Sequence, residues 1–496
     1  MNVLLIYPEI PDTFWSFKHA LKFIRKKAAS PPLGLLTIAP MLPSKWAKRL
    51  VDLNVIKLTR EDLAWADCAL ISAMTVQRDS AHKTIAQCKE AGLRVIAGGP
   101  LFTTEYEQFE TVDHFVLNEA ELTLPAFLKD FSQGCAKRVY ATPDFANIRK
   151  TPAPMWELVR FRDYASMSIQ FSRGCPFNCD FCNVTALFGH RPRTKSALQM
   201  IAELESLYRL GWRGGVFFVD DNLIGNRTHL RNELLPALIE WRKGKAGFLF
   251  NTEVSINLAD DEPLMQMMVN AGFDTVFIGI ETPNEDSLAE CSKKQNMNRD
   301  LVQDVKRIQR QGLQVQGGFI LGFDNDSALT FRRLTDFIQK SGIATAMVGL
   351  LQAPPGTKLY ERLKQAGRLL DRLSGDNVDG STNIIPAMNL DVLRKGYKDV
   401  LHYLYSPEAY YQRVKTFLRE YKPPKIKIQL DFRHISINIH ALIRSVFRLG
   451  IVGKERIHYL KLFLWTLLRR PRSFPMAITL AIYGHHFRKT SESHVR

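Results

Sequence analysis

Twice along the 496-residue chain, short apolar runs alternate with stretches of helical periodicity. That rhythm restricts the fold to parallel α/β layers. In the first pass "NVLLIYP", "CALISAM", "LRVIAGGP" and "DHFVLNE" read as strands, with a helix at 79–92. Residues 1–130 are therefore predicted to form a Rossmann-like, doubly wound domain. Its ligand would lie at strand carboxyl ends such as Ser72-Ala73-Met74-Thr75 and Gly98-Gly99-Pro100. The proline-scattered stretch 131–165 reads as a linker. In the second pass strands are predicted at "SIQFSRG", "GVFFVDD", "FLFNTEVSI", "TVFIGIE", "QVQGGFILGF" and "TAMVGLL". Amphipathic helices lie between them, one at 195–210 with Leu198, Ile201, Leu204 and Tyr208 on one face. Six β/α units over 166–355 imply a partial (β/α)6 barrel, not a closed eightfold one. Residues 356–422 read as a mostly helical extension, and "KPPKIK" introduces a basic, apolar tail at 423–496.

With 46% apolar and 24% charged residues the composition is that of a globular protein. No basic n-region precedes the first strand, and the apolar runs at 459–468 and 474–484 fall short of the roughly 20 residues a membrane span requires. The expectation is an intracellular chain with reduced thiols. Net charge is +17, but residues 425–496 hold 14 Lys and Arg against three acids, so +11 of it belongs to the tail. There "HALIRSVFRLG" and "HYLKLFLWTLLRR" mix basic with large apolar residues, as in a helix lying on a membrane surface. The alternative is a helical extension packed on the barrel. A nucleic-acid partner is not expected, because the charge sits in an apolar tail without an RNA-binding aromatic signature.

Three of the seven cysteines fall within "RGCPFNCDFC", spaced Cys175-x3-Cys179-x2-Cys182. Structural zinc asks for four ligands, usually as paired cysteines or a Cys/His quartet. Cys68, Cys88, Cys135 and Cys291 are scattered, and His190 is the nearest imidazole, which leaves a Cys3His site as an alternative. A disulfide would leave one thiol over and fits a reducing compartment poorly. An iron–sulfur cluster suits the spacing best: three thiolates would leave one iron of a [4Fe–4S] cube open, and Gly174 and Pro176 suit a sharp loop.

Set after the first strand of a six-unit barrel pattern, with Phe181 just ahead of the last cysteine, this loop resembles that of the radical S-adenosylmethionine (SAM) superfamily. The resemblance implies that Cys175, Cys179 and Cys182 ligate a [4Fe–4S] cluster whose open iron chelates SAM. Reductive cleavage of SAM would then give a 5′-deoxyadenosyl radical that abstracts hydrogen from unactivated carbon, with a flavodoxin or ferredoxin as reductant. Further positions resemble the family's strand-end motifs. "GGVFFVDDN" would place Gly214, Gly215, Asp220, Asp221 and Asn222 at the barrel mouth, near the methionine ammonium. Glu253 and Glu281 follow on later strands, and Gly318 and Gly322 would let adenine approach the backbone.

An α/β domain ahead of such a barrel resembles the cobalamin-binding subfamily. "SPPLGLLTIAPML" contains Pro32, Leu33 and Gly34 in that subfamily's Pro-Pro-x-Gly-Leu segment. Ser72, Met74, Gly98 and Gly99 would contact the corrin from strand ends. Glu119 and Glu121 stand where the family has Gly-Glu-Gly-Glu, with Asn118 and Ala120 replacing the glycines. Asp79-Ser80-Ala81-His82 lacks the spacing of Asp-x-His-x-x-Gly, so no lower histidine on cobalt is expected from it. The resemblance implies C-methylation, in which a methyl on cobalt reaches a carbon radical. "HYLYSPEAYYQRVKTFLREY" resembles the helical region of the hopanoid C-2 methylase-like subgroup. Together with the tail it favours a lipid-like substrate and a cytoplasmic protein peripheral to the inner membrane face. A cyclase or oxidase that transfers no methyl, and an RNA-modifying or RNA-binding iron–sulfur protein, are the other readings.

Overall fold

The computed structural model describes residues 1–370, 373–424 and 432–494. The "KIK" end of the proline-punctuated stretch and residues 495–496 lie outside them. Two six-stranded, all-parallel sheets organise the chain. In the first, β1 (Asn2–Tyr7), β2 (Ala47–Asp52), β3 (Cys68–Ser72), β4 (Arg94–Gly98), β5 (His114–Val116) and β6 (Val139–Tyr140) lie in the order β2-β1-β3-β4-β5-β6. Val3, Leu4, Leu5 and Ile6 are all fully buried, as a central strand covered by helices on both faces requires. The order reverses between β1 and β3, and that switch point opens the crevice where such sheets hold ligands. Sequence reading missed β2 and β6. Only Val51 and Asp52, its last two residues, are buried in β2, so as an edge strand it carries no full apolar pattern. The stretch 131–165, read as a linker, supplies β6 and buries Trp156 completely.

A second sheet follows. It comprises β7 (Ser166–Ile169), β10 (Gly215–Phe218), β11 (Phe250–Val254), β12 (Phe273–Glu281), β13 (Gln314–Leu321) and β14 (Ala346–Leu350). Between β7 and β10 lies a two-stranded hairpin, β8 (Ser172–Arg173) with β9 (Arg193–Thr194). The order β7-β10-β11-β12-β13-β14 curls into a partial barrel, open between β7 and β14. Helices cover its outer face. On the helix Ala197–Arg209 the buried residues are Met200, Glu203, Leu204 and Leu207, whereas Leu198 is 82% exposed. Of the expected face, Leu204 is buried and Ile201 and Tyr208 pack against the core, so only Leu198 points outward, while Glu203 turns inward to an ion pair with the buried Lys195.

Both ends of the chain close the open seam. The segment after β1 runs beside β7, with Ala165 and Ser166 amides donating to Ala28 and Ala29 carbonyls. Trp15 reaches inside, its ring 5.4 Å from Phe277 of β12 and its Nε1 donating to the Met347 sulfur on β14. Phe14 stacks on Phe487 at 4.1 Å, and the buried His486 ring meets the Phe14 carbonyl. Both residues belong to the last helix, Phe474–His494. Helices Leu390–Tyr405 and Pro407–Glu420 make the extension, joined by the tail helices Phe432–Ser445 and Arg456–Arg469. Ile435–Val452, with a wider π-type turn from Val446, is long and apolar enough to cross a membrane by length and composition. The search for uninterrupted apolar runs overlooked it, because His440, Arg444 and Arg448 break it up.

Candidate active site

The three cysteines sit on the loop that the β8–β9 hairpin frames, at the carboxyl end of β7. Gly174 is required at its start. Its φ is +91°, and a Cβ there would lie 2.8 Å from the carbonyl oxygens of Gly189 and Arg191. The Cys175 amide donates to Gly189, and the Cys182 amide to Cys179. Asp180 accepts from the Leu359 amide and donates its own to the Cys291 carbonyl, which ties the loop to both later elements. All seven cysteines are free, so the disulfide reading is not realised. Burial raises the Cys175 thiol and pushes Cys182 up to about 12. Among the described residues, the one set of three His, Cys, Asp or Glu donors within 4.8 Å of one another is Asp12, His19 and His486. The three thiols do not form such a set, and His190 is exposed, so no preformed Cys3His site stands among the described residues.

Around the loop, carboxylates divide into two kinds. Asp220 is fully buried and spent on the backbone: it accepts from the Phe171 amide at 3.1 Å, from the Ser172 hydroxyl at 2.6 Å and from the Ser172 amide. It braces the approach to the cysteines. Asn222, also buried, binds the Ser255 amide and the Cys175 thiol. Asp221 and Glu253 instead keep carboxylates to which, among the described residues, no other residue donates. Burial pushes Asp221 up to about 6. Burial and then the nearby Asp221 and Asp220 push Glu253 up to about 8. Glu281 ends β12 with φ +65°, beside a register shift, and receives the Lys293 ammonium at 2.7 Å. Burial alone would lower Lys293, but Glu281 and the sulfurs of Cys179 and Cys182 hold it raised. Gln295 donates to the Cys179 sulfur at 3.7 Å. Phe181 packs edge-on to Phe323. Sequence reading missed Lys293 and Gln295, since "CSKKQN" follows no strand and carries no spacing signal.

Gly318 lies mid-strand on β13, where a Cβ would meet the Phe277 ring at 2.8 Å, and Gly322 has φ +108°. Gly214 and Gly215 need correction. They precede or open β10, with Gly215 opposite Ser166, so they lie at the far end of the strand from the mouth. A Cβ on Gly214 would clash with Trp212, a packing reason for glycine there.

In the first domain, Met74 is 50% exposed beyond β3, and its amide is held by the buried Gln77. Gly99 has φ +93°, and a Cβ on it would lie 2.6 Å from the Ser72 hydroxyl; one on Gly98 would meet the Val116 carbonyl. These glycines let the β3 and β4 loops sit side by side. Pro32 precedes the helix Leu33–Ile38, and a Cβ on Gly34 would meet open space. His82 stacks on Phe109 at 4.3 Å.

Glu119 and Glu121 cross to the barrel. Glu119 pairs with Arg193 at 2.5 Å and accepts from the Ala146 amide; Glu121 pairs with Arg173 at 2.8 Å. Their partners are β8 and β9 residues, so the first domain grips the hairpin that frames the cysteine loop. On the other side Arg78 pairs with Glu105 and donates to the Leu373 carbonyl, and Gly375 packs on Thr75 and Val76. Arg173 stands inside the cysteine motif, yet nothing in the sequence shows its partner 52 residues upstream.

Comparison with known proteins agrees with this geometry. Residues 169–338 match the radical SAM superfamily and residues 357–496 a domain of unknown function, DUF4070. An uncharacterised methyltransferase of Synechocystis sp. is 38% identical over 98% of this chain and 91% of its own. The hopanoid C-2 methylase of Rhodopseudomonas palustris is 31% identical over 99% of this chain and 95% of its own. The cobalamin-dependent S-adenosylmethionine radical enzyme OxsB, solved with aqua-cobalamin and S-adenosylmethionine bound, shares the fold with a TM-score of 0.61 and 14% identity, covering 99% of this chain and 80% of that one.

Proposed function

The chain belongs to the cobalamin-binding radical SAM methylases, and from that premise we propose that it C-methylates an unactivated carbon of a lipid-like substrate. A [4Fe–4S] cluster, SAM and cobalamin are its cofactors. When bound, they supply a hydrogen-abstracting radical and a methyl donor suited to a carbon radical. We assign Cys175, Cys179 and Cys182 to the cluster. Lys293 and Gln295 brace the loop, and Asn222 orients Cys175. Asp221, Glu253 and Glu281 hold the cationic end of SAM, and the bare backbone at Gly318 and Gly322 takes its adenine. Pro32, Leu33, Gly34, Ser72, Met74, Gly98 and Gly99 form the cobalamin side of the cleft.

The observation that carries the SAM assignment is the pair of acids without donors at the barrel mouth, because a buried carboxylate gains most from a cation that needs no proton. Phe217, Phe277, Ile320 and Met347 stand half-buried on the strand faces opposite the helices, with Trp15 against two of them. That apolar wall supports a lipid-like substrate, as does the 31% identity to a hopanoid methylase. A flavodoxin or ferredoxin is the electron donor we assign, and the inner face of the membrane the location.

Anaerobically reconstituted protein given reductant, cobalamin and methyl-labelled SAM is expected to release 5′-deoxyadenosine and to put label into a lipid-extract product. Product without label would instead assign a cyclase or oxidase. A pH effect follows as well. Asp221 and Glu253 titrate above the ordinary carboxyl range in the folded chain, so ionising them costs stability progressively as pH rises toward about 8. A bound cation offsets that cost and releases protons. SAM affinity is therefore expected to rise with pH between about 6 and 8, and Glu253→Gln to flatten the upper part of the rise. Calorimetry in buffers of different ionisation enthalpy reads the proton release, and its absence would rule out the assignment.

A further inference from the structure

Along Ile435–Val452, the side chains Ile435, Ile439, Ile443, Phe447 and Ile451 recur every four residues and are 40–61% exposed, forming one apolar stripe. Ile457, Leu460, Leu464 and Leu468 continue it on the next helix at 43–79% exposure. A patch of this extent on one side of a protein marks a surface that meets something apolar. The opposite face is already covered: Ala441, Ser445 and Leu449 are buried, and Arg444 Nη1 donates to the Lys22 and Phe23 carbonyls. The helix is therefore docked flat on the protein and does not project from it. Beside the stripe, Lys22 and Arg25 of the N-terminal helix meet Arg444 and Arg448 around a groove of about 520 Å³ that Ile443 and Phe447 also line. None of these four cations has a carboxylate within 4.0 Å among the described residues. Burial and then repulsion from Arg25 and Arg448 lower Arg444.

We propose that this groove holds the phosphate of an anionic phospholipid while the isoleucine–phenylalanine stripe lies in the acyl boundary of the same leaflet. A cation cluster without acids, set against exposed apolar side chains, matches the layered chemistry of a bilayer interface: phosphate above, hydrocarbon below. A second copy packed two-fold on this face would offer the groove no anion, because the mating surface would carry the same positive charge. The site also bears on the reading above. The Lys22–Arg25 segment continues into the run at Ala28 that pairs beside β7 along the barrel seam, so the groove is joined in sequence to the wall of the barrel.

The test is flotation of the full-length protein with vesicles of phosphatidylcholine alone or mixed with phosphatidylglycerol. Binding is expected only with phosphatidylglycerol, and high salt is expected to release it. Arg25→Glu with Arg444→Glu is expected to lower binding by about tenfold or more, and Phe447→Asp to lower it similarly. Arg25→Glu with Arg448→Glu, which leaves the Arg444 bonds that dock the helix, is expected to lower binding likewise; Arg25, Phe447 and Arg448 are exposed, and unchanged circular dichroism checks the fold. Equal flotation on both vesicle types, retention in high salt as for a spanning helix, or unaltered binding of the variants would overturn the proposal. So would a dimer in sedimentation velocity that Phe447→Asp dissociates. Formation of 5′-deoxyadenosine in detergent reports separately on the enzymatic reading, so either can fail alone.

Discussion

Cys179→Ala protein, reconstituted anaerobically, is expected to lack the visible absorbance of a [4Fe–4S] centre and to form no 5′-deoxyadenosine. The loss is at least about a thousandfold, since the whole rate enhancement runs through the centre. The substitution removes one of three donors on a loop whose shape is fixed elsewhere. Gly174, the Cys175 amide and the Asp180 bonds to Cys291 and Leu359 hold the backbone without the Cys179 side chain. Far-ultraviolet circular dichroism should therefore match the unaltered protein. Cys291 supplies the control. It is buried near the loop, but its thiol faces the Leu288 carbonyl. Cys291→Ala is expected to keep the absorbance and most of the activity. If it lost the absorbance as Cys179→Ala does, the cluster would have four protein ligands and no open iron, and the assignment of SAM to that iron would fall.

Arg193→Ala is expected to be the most damaging change outside the cysteines. Glu119 is 2% exposed at its side chain and would keep the Ala146 amide but lose its close cation, with only Arg173 at 3.7 Å. Removing one partner of a buried pair costs about 3–5 kcal/mol, because the other charge stays buried. That lowers the midpoint of thermal unfolding by roughly 3–5 °C in a protein of this size. The double variant Glu119→Gln with Arg193→Met should recover most of the midpoint, since it leaves no uncompensated charge. Activity should stay low in that variant, because β9 would no longer be gripped by the first domain. Recovery of activity together with stability would show that the latch only stabilises. Differential scanning calorimetry beside a 5′-deoxyadenosine assay separates the two outcomes.

The barrel was legible because its strands are long apolar runs and its cysteines are adjacent. Those signals are local, and each element has its own. What the sequence hid was pairing across distance. Glu119 and Glu121 occupied a motif suggestive of cofactor contact, yet their side chains are spent on Arg193 and Arg173, and no pattern within ten residues of either announces that. Gly214 and Gly215 misled for the opposite reason. In the same short run as Asp221, they sit at the other end of a strand, since each residue of a strand advances about 3.3 Å. Lys293 was invisible because an ion pair in a loop leaves no period. On the helix Ala197–Arg209 the apolar pattern held at Ile201, Leu204 and Tyr208, but it gave no sign that Leu198 faces solvent or that Glu203 is buried against Lys195.

The seam of this barrel is sealed by residues far apart along the chain: Phe14 stacks on Phe487, and the His486 ring meets the Phe14 carbonyl across a sequence separation of 472 residues. A contact that closes so long a loop forms only after the domains between its partners have taken shape, since its closure entropy has no local reward. The flank between β7 and β14 is thus walled by a distant clasp, and loosening the helix Phe474–His494 would unseal it while leaving both sheets intact.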